Sequence, residues 1–157
     1  MAGVARPDGP LGGGALVIRH WTAPGVAGVL AAVLTACLVR AVPIVLHDGF
    51  DASVVTVPGL WLLYAAGPAV LCAVPLVVLS RAVLARTAGS VGVYAALGVV
   101  GGLVVGVVQT WVLLSTWPWQ QPGDVVWNLV AIPVLGGLVG GVVAGLVRRR
   151  RDAARPD

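Results

Sequence analysis

The chain is predicted to be all-α, an integral membrane four-helix bundle with both termini in the cytoplasm, and three observations carry that expectation. Apolar residues make up 59% of the 157 residues and charged residues only 10%, well below the roughly 25% charged residues of a soluble domain. The apolar residues fall into four long runs, unlike the short alternating segments of an outer-membrane barrel. Arginines gather at one end of each run, as membrane topology requires.

Residues 1–21 form a basic tail rich in glycine and proline, expected to be disordered and cytoplasmic because it has too little apolar surface to fold. A transmembrane domain over 22–147 follows, with spans expected at about 22–46, 58–79, 90–114 and 125–147. Each run is long enough to cross about 30 Å of hydrocarbon at 1.5 Å per residue. Lipid offers no partner to a backbone amide or carbonyl, so valine-rich and glycine-rich runs are helical there despite their propensities. Residues 148–157 form a polybasic cytoplasmic tail.

Orientation follows from the connections. Arg6 and Arg19 precede the first span, Arg81 and Arg86 lie between the second and third, and Arg148 to Arg151 and Arg155 follow the fourth. The segments His47 to Val57 and Ser115 to Asp124 hold no arginine but contain Asp48, Asp51 and Asp124. The positive-inside rule places the arginine-bearing ends in the cytoplasm. Trp21 marks the inner edge, and Trp61, Trp111, Trp117, Trp119 and Trp127 mark the outer one, because an indole prefers the headgroup level. Lysine is absent and arginine abundant, as in G+C-rich genomes, and the expected location is a bacterial plasma (inner) membrane, multi-pass.

Arg40 interrupts the apolar stretch LAAVLTACLVRAVPIVLHDGFD. It lies eighteen residues beyond Thr22, roughly 27 Å along a helix, where its side chain can reach the outer headgroups and avoid the cost of a cation at the bilayer centre. Pro43 would then loosen the helix beyond it; alternatively the span continues to Leu46 with a tilt. Pro24, Gly28, Ala32, Ala36 and Arg40 recur every four residues, a small-residue stripe suited to facing other helices. The expected partner of Arg40 is Asp48 or Asp51. Tyr64, Gln109 and Asn128 complete an outer-rim polar cluster with these three residues.

Gly98, Gly102 and Gly106 in the third span, and Gly137, Gly141 and Gly145 in the fourth, repeat a GxxxG spacing that exposes backbone along one face. The two spans are expected to pack on each other, or on further copies. Pro58-Gly59, Trp61, Pro68 and Arg81 are also echoed by Pro122-Gly123, Trp127, Pro133 and Arg148, a faint sign of a repeated hairpin.

Little chemistry is expected. All six acidic residues are aspartates and all lie outside the spans, as do both histidines, so proton-coupled transport lacks its midmembrane carboxylate. Cys37 and Cys72 have neither CxxC spacing nor a histidine cluster, and are expected as buried thiols. No metal site and no cofactor are expected, and no nucleophile, base and orienting group come together as an enzyme requires. LTAC, Leu34 to Cys37, resembles the lipobox of bacterial lipoproteins, which implies cleavage and acylation at Cys37 as an alternative. The leading expectation is a non-catalytic accessory or scaffold subunit of a membrane complex; the other is a small homo-oligomeric transporter or pore. Expected partners are the lipid bilayer, anionic lipids at Arg148, Arg149, Arg150 and Arg151, and a membrane-protein partner or further copies. No nucleic-acid partner is expected, since the +4 charge is set by topology.

Overall fold

The computed structural model describes residues 12–87 and 90–154. Residues 1–11 of the expected tail, with Arg6, lie outside the described residues, as do Arg155 and the side chains of Arg19, Trp21 and Asp48. The described chain is an all-α bundle of four helices, each containing a stretch long and apolar enough to cross a membrane. α1 is Gly12–Asp48, α2 is Ser53–Arg86 and α3 is Val91–Leu114. α4 spans Gly123–Ala153, in three parts: an α-helical start at Gly123–Val126, a π-helical stretch at Trp127–Ala131, and an α-helical remainder at Ile132–Ala153.

α1 is helical from Gly12, ahead of the span expected at Thr22, and it continues past Pro43 to Asp48. The backbone beyond Arg40 therefore stays helical. Ser90 opens α3 by accepting the Val93 amide at 3.4 Å, supplying one of the bonds that a helix start lacks. Ser115 ends it in the left-handed region, at φ 54°, with its amide on the Trp111 carbonyl at 2.8 Å. A 3-10 turn, Pro118–Gln120, follows, and Trp117 just before it stacks on Trp119 within it, with ring centroids 4.9 Å apart.

α4 is the centre of the bundle, and its sequence explains why. Gly136-Gly137, Gly140-Gly141 and Ala144-Gly145 repeat every four residues, and neighbours in each doublet point about 100° apart on a helix. The doublets therefore cut two grooves. One groove receives α3: a Cβ added to Gly98 or Gly137 would collide with the other's carbonyl, one on Gly106 would lie 2.8 Å from the Val130 Cα, and one on Gly145 would lie 3.0 Å from the Val91 Cα. The other receives α1: a Cβ on Gly28 would lie 2.8 Å from the Gly140 carbonyl oxygen, and one on Gly136 would lie 3.0 Å from that of Ala32. In lipid, apolar burial gives helices little reason to associate, so close backbone approach and its dispersion contacts hold them together. Gly98 thus meets Gly137, the other glycines of the third and fourth spans meet backbone of the facing helix, and the stripe through Gly28 and Ala32 meets the second groove.

α2 is held differently. Of its 34 residues only Pro58, Pro68, Cys72 and Leu84 are buried, and Gly59 and Gly67 have nothing within 4 Å of an added Cβ. The echoed glycines Gly59 and Gly123 both face open space, whereas the close backbone contacts of α4 come from its later glycines, which have no counterpart in the echo. Cys72 is buried and Cys37 half-buried, both as free thiols.

Helix rise sets the depth. Trp61 stands twenty residues from Arg81 on α2, and Trp127 twenty-one from Arg148 on α4, about 30 Å in each case. That is one hydrocarbon thickness. An apolar layer of that thickness bounded by Arg81 and Arg148 would have Trp61 and Trp127 at its other edge.

Candidate functional site

One group from each of the four helices meets at Arg40, on α1. Its guanidinium lies 4.4 Å from the centroid of Trp61 on α2, and its Nη2 donates to the backbone carbonyl of Asn128 on α4 at 2.7 Å. Arg40 thus stands level with Trp61 and points into the bundle. Edge depth and a bundle-facing direction coexist because the side chain runs sideways toward α4.

The Asn128 carbonyl accepts this bond for a reason rooted in the sequence. In the π-helical stretch the Ile132 amide donates to Trp127, five residues back. The Asn128 carbonyl would then receive the amide of residue 133, and that residue is Pro133, which has none. A carbonyl left bare at this depth costs about 1–3 kcal/mol. Arg40 supplies the missing donor, and a bond from a charged donor is stronger than the neutral one it replaces. Among the described residues no carboxylate lies within ion-pair distance of Arg40, and the face of Trp61 contributes the negative potential that a counter-ion would otherwise provide.

Gln109 and Thr110 on α3 are each only 1% exposed. The Thr110 hydroxyl donates back to the Gly106 carbonyl at 2.8 Å, while Gln109 turns toward a cavity that Arg40 also lines. The Asn128 side chain donates to the Asp124 carbonyl at 2.9 Å, so Asn128 serves this centre through its backbone.

Of the expected rim cluster, the structure brings together Arg40, Gln109 and Asn128. Tyr64 is 56% exposed on α2 and lines neither of the cavities around Arg40. The expected pairing of Arg40 with Asp51 is replaced. Asp51 is exposed, and its Oδ1 accepts the Ser53 hydroxyl and, at 2.7 Å, the Ser53 amide at the start of α2. A short carboxylate beside a helix start finds local amide donors more readily than a guanidinium on another helix. The side chain of Asp48 lies outside the described residues. Sequence reasoning missed Trp61 and Pro133 as members of the centre; the signals were the shared depth of Trp61 and Arg40, and a proline that strips a donor from its own helix.

The Ser53 hydroxyl and amide hold the Asp51 carboxyl below the usual carboxylate range. A lowered folded value means that the ionised cap is present at neutral pH and is lost only as the pH falls through that lowered value. Asp51→Ala is accordingly expected to speed amide exchange at Ser53 and Val54 at neutral pH, measured by hydrogen–deuterium exchange. Measured as protection relative to the intrinsic rate at each pH, the wild-type chain should lose that protection only in acid.

At the opposite edge, Arg148 donates to the Tyr94 hydroxyl at 2.6 Å and lies 3.6 Å from Asp152. It ties the end of α4 to the start of α3, whereas Arg149, Arg150 and Arg151 are exposed.

Comparison with known proteins finds no matching family model, no matching curated protein and no matching solved structure.

Proposed function

We propose that this multi-pass membrane protein is a non-catalytic accessory or scaffold subunit of a membrane complex, seated in a bacterial plasma membrane with both termini in the cytoplasm. The observation that carries the reading is the double glycine clasp of α4. Backbone meets backbone on two sides of that helix, which leaves no room for a solute along the contact of α4 with α1 or along its contact with α3. α2 lies beside this close-packed three-helix plate with most of its surface open to lipid or to another protein.

The chemistry at the other edge supports the same reading. Its polar groups are a guanidinium, two carboxamides and a hydroxyl, none of which exchanges a proton readily near neutral pH. The arginine distribution supports cytoplasmic termini, and the exposed Arg149, Arg150 and Arg151 are suited to anionic headgroups, each worth about 1 kcal/mol near such a surface.

Purification of the full chain from its native membrane in mild detergent, with mass spectrometry of what accompanies it, tests the proposal. A second membrane protein at fixed stoichiometry is expected, together with no solute flux in reconstituted vesicles above the protein-free rate. The competing reading, a transporter or pore built between copies, draws on the open face of α2, where Gly59 and Gly67 would let a second copy approach. A defined homo-oligomer with solute flux would establish that reading in place of the first.

A further inference from the structure

Arg40 has a nitrogen that neither Trp61 nor Asn128 satisfies. Its Nη1 is buried without a hydrogen-bond partner, and so is Oε1 of Gln109. Both side chains line one cavity, shared with Ala36, Leu62 and Ile132, with about 50 Å³ open to the centre of a water molecule. On that measure about 10–15 Å³ admits one water. A second cleft of about 320 Å³ shares Arg40, Trp61 and Ile132 with the first and reaches Trp127 and Asn128, so the cavity lies beside an approach from the membrane edge.

The two orphaned atoms define what fits between them. Nη1 only donates, and Oε1 only accepts. They are complementary, but no bond joins them directly, and burying either one bare is costly. A group that accepts from one and donates to the other satisfies both at once. An anion would satisfy Nη1 and set a negative charge against Oε1; a second cation would do the reverse. A hydroxyl does both.

We propose that this cavity is a binding site for a hydroxyl group, which accepts from Arg40 Nη1 and donates to Gln109 Oε1 and so bridges α1 to α3. Two sources supply that chemistry: a water molecule, and the headgroup hydroxyl of a lipid entering by the larger cleft. Apart from the Cys37 thiol and the Trp61 indole the rest of the lining is aliphatic, so Arg40 and Gln109 offer a hydroxyl its charged donor and its amide acceptor. The site stands whether or not the chain proves to be a scaffold subunit.

The test uses the full chain with isotope-labelled glutamine in vesicles of phosphatidylcholine, which has no headgroup hydroxyl, and of phosphatidylglycerol, which has two. Magnetisation transferred from water to the glutamine side chains is read by solid-state NMR, with the Gln109 signal assigned by its loss in Gln109→Met. Transfer to Gln109 in both lipids, at the short mixing times that serve the exposed Gln120, identifies water. Transfer to Gln109 from phosphatidylglycerol headgroup protons, with none from water in phosphatidylcholine, identifies a lipid hydroxyl. Absence of both overturns the proposal. A second measurement compares melting temperatures: Gln109→Met is expected to lower the midpoint less in an Arg40→Met background than in the wild type, because the bridge is already broken there. Equal shifts overturn the proposal, as does a midpoint that rises when chloride replaces gluconate, which would mark the cavity as an anion site.

Discussion

Gly137→Val is expected to force α3 away from α4 and to cause the largest loss of stability of any single substitution considered for this bundle, about 3 kcal/mol, at the upper end for overpacking a close-packed contact. An added Cβ at Gly137 would fall on the carbonyl of Gly98 and come within 3.3 Å of the Gly102 amide nitrogen. These are backbone atoms, so no side chain can rotate aside and only the helices themselves can move. Separating them forfeits the contacts of the whole groove, because the glycines at 98, 102 and 106 act on one continuous face. Gly67→Ala is the matched control. Nothing lies within 4 Å of its added Cβ, and the loss of chain entropy in the unfolded state makes it neutral or slightly stabilising. Thermal unfolding of both variants in the same detergent makes the comparison; similar midpoints for the two would show that the glycine groove does not hold the bundle.

Arg40→Met is expected to cost about 2 kcal/mol, the penalty of leaving the Asn128 carbonyl without a donor at the edge of the apolar layer. The cost has a specific rescue. Pro133→Ala returns an amide to residue 133, which can take the Asn128 carbonyl in the π register, or the Leu129 carbonyl if the stretch relaxes to an α-helix. Arg40→Met should then cost markedly less in the Pro133→Ala background, with a coupling of about 1 kcal/mol in a double-mutant cycle, well above the roughly 0.3–0.5 kcal/mol within which independent sites add. Additive losses would mean that Arg40 contributes through Trp61 alone and that the carbonyl finds another donor.

The membrane class and the number of helices were legible because each is set by a local or one-dimensional rule, whereas the helices run past the expected spans, α1 beginning at Gly12 and α2 ending at Arg86. Hydrocarbon thickness fixes the length of a run, and unmet backbone groups force it to be helical. The glycines were legible as packing surface for the same reason, since a spacing of four puts them on one face whatever that face meets. Their two-sided use on α4 was written in the doublets at 136–137 and 140–141, and becomes plain only when α1 and α3 are both seen against it.

The site around Arg40 was legible as far as its depth, and no further. Counting residues from the arginine end places Arg40 and Trp61 at one level, because helix rise is constant. Which partner Arg40 takes depends on how α1 is rotated against α4, and on a carbonyl freed 88 residues away by a π-turn and a proline. Proximity along the chain pointed to Asp51, whereas Asp51 is satisfied by the first turn of its own helix. Composition and spacing thus settled what must lie in lipid and which faces are small enough to touch. The assembled helices alone settled which polar groups meet, because a buried donor goes to whichever acceptor the fold has left bare, and that vacancy arises only when separate segments come together.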